Sequence, residues 1–358
     1  MVLLVAAGLL TRAVGHAMTL DPGFAIHESQ AVSLRLPPGA STERSAVFHR
    51  TLRDALEAGQ LPPLAFSEFT AITTAHRNIP FRQDDEGPRM SRAIIARDVS
   101  ARYFSVLDIP LIAGRTLADD GQEIVVNQSA GRLFWPDRDP LGKRLVTGNG
   151  DAVQRYTVVG VTKNVPVTTL SEIPPVVYRS LQSGGLVLVR DLSPTIVERI
   201  ATVARGIEPK VELAARPLAD DIWTATRDVA TASRFSWAVG LLALVLATVG
   251  AFGVFAYGVE ERRREIGVRM ALGAQAPQVV WTVIGDARWP LLVGLGAGLV
   301  LSSAAAPLLR RFLYGLTAFD PTTYLTTCGI LIAAALVATW VPARRAIRID
   351  PVITLRAD

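Results

Sequence analysis

Three long stretches of this chain, 235–259, 289–309 and 321–343, contain no charged residue at all. About 20 helical residues cross a hydrocarbon core roughly 30 Å thick, so each stretch is long enough to span a bilayer. One such run is compatible with a buried helix of a soluble protein; three in the last third of a chain are not. Composition agrees: 50% of the 358 residues are hydrophobic and 19% are charged, against roughly 25% charged in soluble domains. That much apolar surface excludes a disordered chain, and a single cysteine, Cys328, excludes a disulfide scaffold.

Residues 1–11 are also apolar, but Arg12 and His16 follow. Eleven residues are too few to cross alone. A secretory signal is disfavoured, because no basic segment precedes the run and no clean small-x-small cleavage site follows it. The segment 1–20 therefore reads as a partial N-terminal transmembrane helix, the outer half of a span whose beginning lies outside this chain.

The 37 basic and 32 acidic residues leave a net charge of +5. Residues 235–358 hold 11 arginines and 7 acids, so +4 of that excess lies beside the apolar runs, and no patch suited to a phosphate backbone is visible. Nucleic acid is excluded as a partner. Arginines in short loops set orientation. Arg262, Arg263, Arg264, Arg269 and Arg288 lie between the first two runs, and Arg344, Arg345, Arg348 and Arg356 lie in the tail. Only Arg310 and Arg311 lie between the second and third runs. The segment 260–288 and the tail 344–358 are thus expected in the cytoplasm, and the long segment 21–226 outside.

That outer segment reads as a mixed α/β (α+β) domain. Strands are expected at 31–36, 123–126, 156–161 and 186–189, and helices at 42–58, 101–107 and 193–205. Pro174-Pro175 and the run 183–185 suggest two subdomains. A search for catalytic chemistry fails at each candidate. His27-Glu28 has Ala31 where a zincin needs its second histidine. Ser129 lacks the first glycine of a nucleophile elbow. The four histidines show no ligand spacing, Asp84-Asp85-Glu86 reads as a solvated loop, and none of the three lysines stands in a P-loop. The expectation is no enzyme, no metal and no cofactor in this chain.

The stretch Glu261-Arg262-Arg263-Arg264-Glu265-Ile266-Gly267-Val268-Arg269-Met270-Ala271-Leu272-Gly273-Ala274 closely resembles the cytoplasmic signature of FtsX-like ABC transporter permeases, the MacB group. The tail from Pro342-Ala343-Arg344-Arg345 to Asp350-Pro351 is similar to that family's C-terminus, and so is the segment from Leu313-Tyr314-Gly315 to Asp320-Pro321. In the outer segment, Tyr103-Phe104, Ile109-Pro110, Ala113-Gly114-Arg115, Val126-Asn127, 139–144 and 156–161 resemble the MacB-type periplasmic core. The signature also resembles that of duplicated orphan permeases of acidobacteria, in which two modules are fused; this implies a second module with its first helix cut short.

The resemblance implies a multi-pass α-helical membrane domain, with three full spans and a partial N-terminal one, joined to a MacB-like periplasmic domain. The expected divisions are 1–20, the periplasmic core 21–226 and the permease domain 227–358. The implied function is that of a permease subunit in the bacterial inner membrane, transmitting ATP-driven motion of a partner ATPase to the periplasmic domain. ATP would bind that partner and not this chain. Further implied partners are a second copy or another permease module, a periplasmic adaptor or substrate, and membrane lipid. A regulatory membrane protein acting on a cell-wall hydrolase is the alternative, and a membrane-anchored enzyme is a third, disfavoured one.

Two residue sets carry the site expectations. In the cytoplasmic signature, Glu260–Arg264 and Glu265–Arg269 are favourable i,i+4 pairs. Val259, Ile266, Met270 and Ala274 share one helical face. The residues alone leave open a solvated loop and a short amphipathic helix lying on a partner or at the membrane surface; the resemblance implies a coupling helix in which Glu261, Arg262, Arg264, Glu265, Ile266, Arg269 and Met270 meet the ATPase. In the second span, Gly294, Gly298, Ser302 and Ala306 recur every four residues, a spacing that lets helices approach closely in lipid but that also follows from the ordinary glycine content of membrane helices.

Overall fold

The computed structural model describes every residue except 60, 119–120, 149–152, 171–172, 182–183, 262–275, 315 and 347–358. It also leaves aside the side chains of 259, 276–284, 286–287, 311 and 342–346. The chain divides into two compact units, Ala17–Arg227 and Met1–His16 with Asp228–Asp358.

In the larger unit two βαβ segments build one layer. The first runs from β1 (Gln30–Arg35) through α2 (Thr42–Ala58) to β2 (Leu64–Ser67); α1 (Val2–Thr19) precedes it. Ser41 caps α2, its hydroxyl accepting the Arg44 N–H at 3.2 Å, which meets one of the orphan donors every helix start leaves. Between β2 and the second βαβ segment come β3 (Arg77–Gln83), β4 (Arg92–Val99), the short α3 (Tyr103–Val106), β5 (Leu111–Gly114), β6 (Glu123–Asn127), α4 (Gln128–Phe134), β7 (Arg144–Thr147), β8 (Gln154–Thr162) and β9 (Val176–Ser180). The second segment is β10 (Leu186–Val189), α5 (Pro194–Ile207) and β11 (Glu212–Pro217).

The four strands of the two βαβ segments lie in the order β11-β1-β10-β2, every pair antiparallel. This is the ferredoxin-like split-βαβ arrangement. Its core joins Val32, Phe48, Leu52, Phe66, Val187 and Ile200, with α2 packed on α5. Helical spacing produces that contact: Phe48, Leu52 and Leu56 fall on one face of α2, and Ile196, Ile200 and Ala204 on one face of α5.

The strands inserted between β2 and β10 close on themselves. β3 pairs with β4, β4 with β9, β9 with β6, β6 with β8, β8 with β7, and β7 with β3. Six strands thus form a barrel without free edges. Alternation along each strand turns Phe81, Ile94, Ala96, Ile124, Val126, Leu145, Tyr156, Val158 and Val177 into its core. Ala130 and Phe134 of α4 join the same cluster and close the end at which β6 finishes. Gly114 holds φ +77, and a Cβ there would lie 2.8 Å from Leu141 Cδ2 and 2.9 Å from Gly160 Cα, so a side chain has no room beside β8. The sequence reading of two subdomains fits these two cores, but the ferredoxin-like one is discontinuous, built from segments on both sides of the barrel.

The other unit is helical. α6 (Ala219–Glu261) enters it and is unbroken over 43 residues. α7 (Ala276–Ala305) continues into a 3-10 turn (Ala306–Phe312), and α8 (Pro321–Ala346) packs on α7. With α1, four helices are long and apolar enough to cross a membrane. Phe235, Val245, Val300 and Leu325 are each more than half exposed. Helices with exposed apolar sides all round belong in lipid. The apolar run at the N-terminus stops at Arg12 in the sequence, but α1 continues through Arg12 and His16 to Thr19.

Candidate functional site

In the helical unit the site is the packing of α1 on the other three helices. Gly298 lets Met1 approach so closely that a Cβ at 298 would sit 2.6 Å from the Met1 Sδ. Gly8 and Gly240 do the same for Thr323 Cγ2 and Leu4 Cδ2, at 2.7 and 2.9 Å. Small residues at such positions let helices close to van der Waals distance in lipid. Polar contacts then pin the pairs. Thr11 and Ser233 share a hydrogen bond of 2.8 Å, the Trp237 indole N–H donates to Thr11 at 3.1 Å, and the Ser233 hydroxyl reaches the Ala7 carbonyl at 3.2 Å. Arg12 forms an ion pair with Asp320. Asp320 also caps α8, accepting the Thr323 N–H at 2.8 Å and its hydroxyl at 2.6 Å. The charge that ends the apolar run thus has its counter-charge at the head of another helix.

The residues singled out on the second span fall in different places. Gly298 meets Met1; Ser302 is buried and its hydroxyl donates to the Gly298 carbonyl at 2.6 Å. Ala306 is buried in the 3-10 turn beyond the end of α7, and Gly294 faces open space. In the cytoplasmic signature, Glu261 ends α6 and is exposed. Arg262, Arg264, Glu265, Ile266, Arg269 and Met270 lie outside the described residues. Sequence reading missed Thr11, Arg12, Ser233, Trp237 and Asp320 as a packing set. The signal was present as polar residues close to the ends of apolar runs, where unpaired groups are costly.

In the larger unit the barrel has one mouth closed by α4 and, among the described residues, the other open. Strand parity turns Arg77 on β3, Asp98 on β4, Gln154 and Tyr156 on β8 and Arg179 on β9 toward the open mouth, where they line a cavity of about 750 Å³ together with Glu68, Arg155 and Ser180. The floor is a ladder of alternating charge. Arg77 bonds Glu68 and stands 3.6 Å from Asp98. Asp98 accepts two bonds from Arg179, at 2.9 and 3.0 Å, and the Arg179 guanidinium lies over the Tyr156 ring. Hydrogen bonding to Glu68 holds the Arg77 guanidinium above its ordinary value. Just outside the barrel wall Arg97 is fully buried, donating to the carbonyls of Thr70 and Val167 at 2.6 and 2.5 Å. Burial raises the Tyr103 and Tyr178 hydroxyls well above the ordinary tyrosine value, so both stay protonated. Among the described residues no group of three His, Cys, Asp or Glu side chains is placed to hold a metal.

Two family models tile the chain. The MacB-like periplasmic core domain matches residues 1–233 and the FtsX-like permease C-terminal domain matches residues 237–351. The chain belongs to the MacB-type permeases. It is a multi-pass protein of the bacterial inner membrane with its larger unit on the periplasmic side, the orientation its arginines point to. The chain is similar to a probable export ATP-binding/permease protein of Pseudomonas fluorescens, at 29% identity over 77% of this chain and 46% of that one. It is also similar to the macrolide export ATP-binding/permease protein MacB of Shigella sonnei, at 27% identity over 85% of this chain and 49% of that one. It thus spans about half the length of the curated relatives it matches. Among solved structures, the periplasmic region of MacB from Actinobacillus actinomycetemcomitans overlaps 56% of this chain and 93% of its own, with 15% identity and a TM-score of 0.40.

Proposed function

We propose that this chain is the permease portion of an ABC transporter that exports a substrate by transmitting the motion of an ATPase to its periplasmic unit. ATP binds the ATPase, and the permease acts in pairs, with a second copy or another permease module. The observation that carries the reading is the junction of the two matched domains: α6 runs without a break from residue 219 in the periplasmic unit to Glu261, the first residue of the arginine-rich signature. At 1.5 Å per residue its 43 residues measure about 64 Å, enough to cross the bilayer and extend beyond it. The runs 235–259, 289–309 and 321–343 contain no charged residue, and Arg12 of α1 is paired with Asp320; such sparse charge favours a device that moves over one that conducts. The relatives' names join ATP binding and export in one protein, which supports an ATPase as the partner.

In this reading Glu261, Arg262, Arg264, Glu265, Ile266, Arg269 and Met270 dock on the ATPase, with Ile266 and Met270 as the apolar contact. Replacing both by Asp should leave the protein in the membrane at its normal level, yet abolish co-purification with the ATPase and any effect on its turnover. Reversing the charges at one i,i+4 spacing of the signature should do much less, since such a pair on a helix surface contributes only about 0.2–0.5 kcal/mol. A double variant that binds and couples like the parent would reduce the signature to a solvated loop and remove the mechanical reading.

A further inference from the structure

We infer that the cytoplasmic ends of α6, α7 and α8 bind an anionic phospholipid, with one acyl chain in a groove between the helices and the phosphate on Arg288. The groove has a volume of about 310 Å³. Its walls are Ala251 and Phe255 of α6, Leu291 of α7, and Ala335 and Leu336 of α8, with Arg288 of α7 on the cytoplasmic side. Thr339 also lines it, but its hydroxyl is spent on the Ala335 and Leu336 carbonyls at 3.0 and 3.1 Å. Apart from Arg288 the groove therefore offers a ligand only apolar contact.

Three helices agree on its depth. Phe255 stands five residues before Glu260, Thr339 five before Arg344, and Arg288 is the last charge before the run 289–309. Five helical residues rise about 8 Å, so the groove lies just inside the cytoplasmic boundary of the hydrocarbon. Trp289 and Trp340, both exposed, are the chain neighbours of Arg288 and Thr339. Tryptophan at that level sits among the lipid headgroups.

Arg288 selects the occupant. Its side chain is exposed and has no ion-pair or hydrogen-bond partner among the described residues. A helix of a second copy would fill the groove but leave this charge unanswered, because residues 1–20 and the three uncharged runs contain no carboxylate. An unpaired charge at the edge of the hydrocarbon is costly. A zwitterionic lipid would bring a cationic group beside the guanidinium. An anionic lipid brings phosphate oxygens that match the guanidinium fork and no opposing charge. Basic pockets between helices on the cytoplasmic side are recurrent sites for such headgroups. The acyl chain then covers Phe255, Leu291 and Leu336.

The full-length chain in detergent micelles should be titrated with dioleoyl-phosphatidylglycerol, dioleoyl-phosphatidylcholine and glycerol 3-phosphate. Native mass spectrometry reads bound lipid and oligomeric state in one spectrum. The first phosphatidylglycerol should bind about fivefold more tightly than the first phosphatidylcholine, the scale of one arginine near a membrane surface. Glycerol 3-phosphate, which carries the charge without the chains, should not compete. Arg288→Gln should erase the preference and Arg288→Lys should keep most of it. Ala335→Phe, which fills the groove and leaves the arginine in place, should lose it. Equal binding of the two lipids by the parent overturns the inference. So does a preference that survives Arg288→Gln or Ala335→Phe, or competition by glycerol 3-phosphate. A changed dimer fraction in these variants at unchanged lipid binding would assign the groove to a second copy instead. The readout needs no ATPase, so failure here leaves the export reading standing, and failure of coupling leaves this site standing.

Discussion

Asn127 ties three parts of the barrel together with one buried amide. Its Oδ1 caps α4 through the Ala130 N–H at 2.9 Å and accepts the Val176 N–H at 3.0 Å, and its Nδ2 donates to the Pro174 carbonyl at 2.8 Å. A buried group so completely used stabilises its site and is costly to truncate, because each partner would be left unsatisfied. At the surface, Glu123 accepts from Arg115 Nη1 at 2.7 Å and from the Ala118 N–H at 2.9 Å. Arg115 holds the Glu123 carboxyl below its ordinary value of 4.5. Around and below that value the folded chain binds fewer protons than the unfolded one. The contribution is therefore complete above about pH 4.5 and is lost as pH falls through the depressed folded value. Acidification below pH 4.5 should lower the melting temperature of the parent more steeply than that of Glu123→Gln, followed by circular dichroism. Parallel curves would show that the Arg115 pair adds nothing.

Among the elements, α1 depends on tertiary partners. Its contacts with Ser233, Trp237 and Gly240 lie along the half of the span nearer the start of α6, and its Arg12 meets Asp320 at the head of α8. Interhelical hydrogen bonds in membranes average only about 0.6 kcal/mol, so the docking rests on close packing at Gly8, Gly240 and Gly298 with polar contacts setting register. With the Thr11 and Ser233 oxygens 2.8 Å apart, the pair Thr11→Cys and Ser233→Cys, in a Cys328→Ser background, should form a disulfide under mild oxidation. Peptide mass mapping detects it. A pair that stays reduced would place α1 elsewhere, since bridging demands Cβ atoms about 3.5–4.5 Å apart.

At the scale of the whole molecule, two family domains share one chain and α6 belongs to both. Orientation is testable on described residues: single cysteines at Val47, an exposed position on α2, and at Glu261, at the far end of α6, in the Cys328→Ser background. An impermeant thiol reagent applied to intact spheroplasts should label the first and spare the second until the membrane is opened. The reverse pattern would invert the topology.

Much was legible in the sequence because it depends on local or one-dimensional physics. Uncharged runs declare membrane helices, since burying a charge in lipid is expensive. Arginine counts declare orientation, and ordered motifs declare the family. Helix α2, Thr42–Ala58, is legible to its last residue, because a cap and a 3.6-residue apolar period mark it without help from the rest of the chain. Strands β1, β6, β8 and β10 were visible as apolar runs bounded by turn residues. Strands β3 and β11 were not, since Arg77–Gln83 and Glu212–Pro217 carry polar and proline residues that only partner strands accommodate. The closed barrel, the split ferredoxin-like layer, the charge ladder at the barrel mouth and the pairing of Arg12 with Asp320 all join residues far apart in sequence. Pattern within a segment says which face of an element is buried; what it is buried against is decided only when the chain folds back on itself.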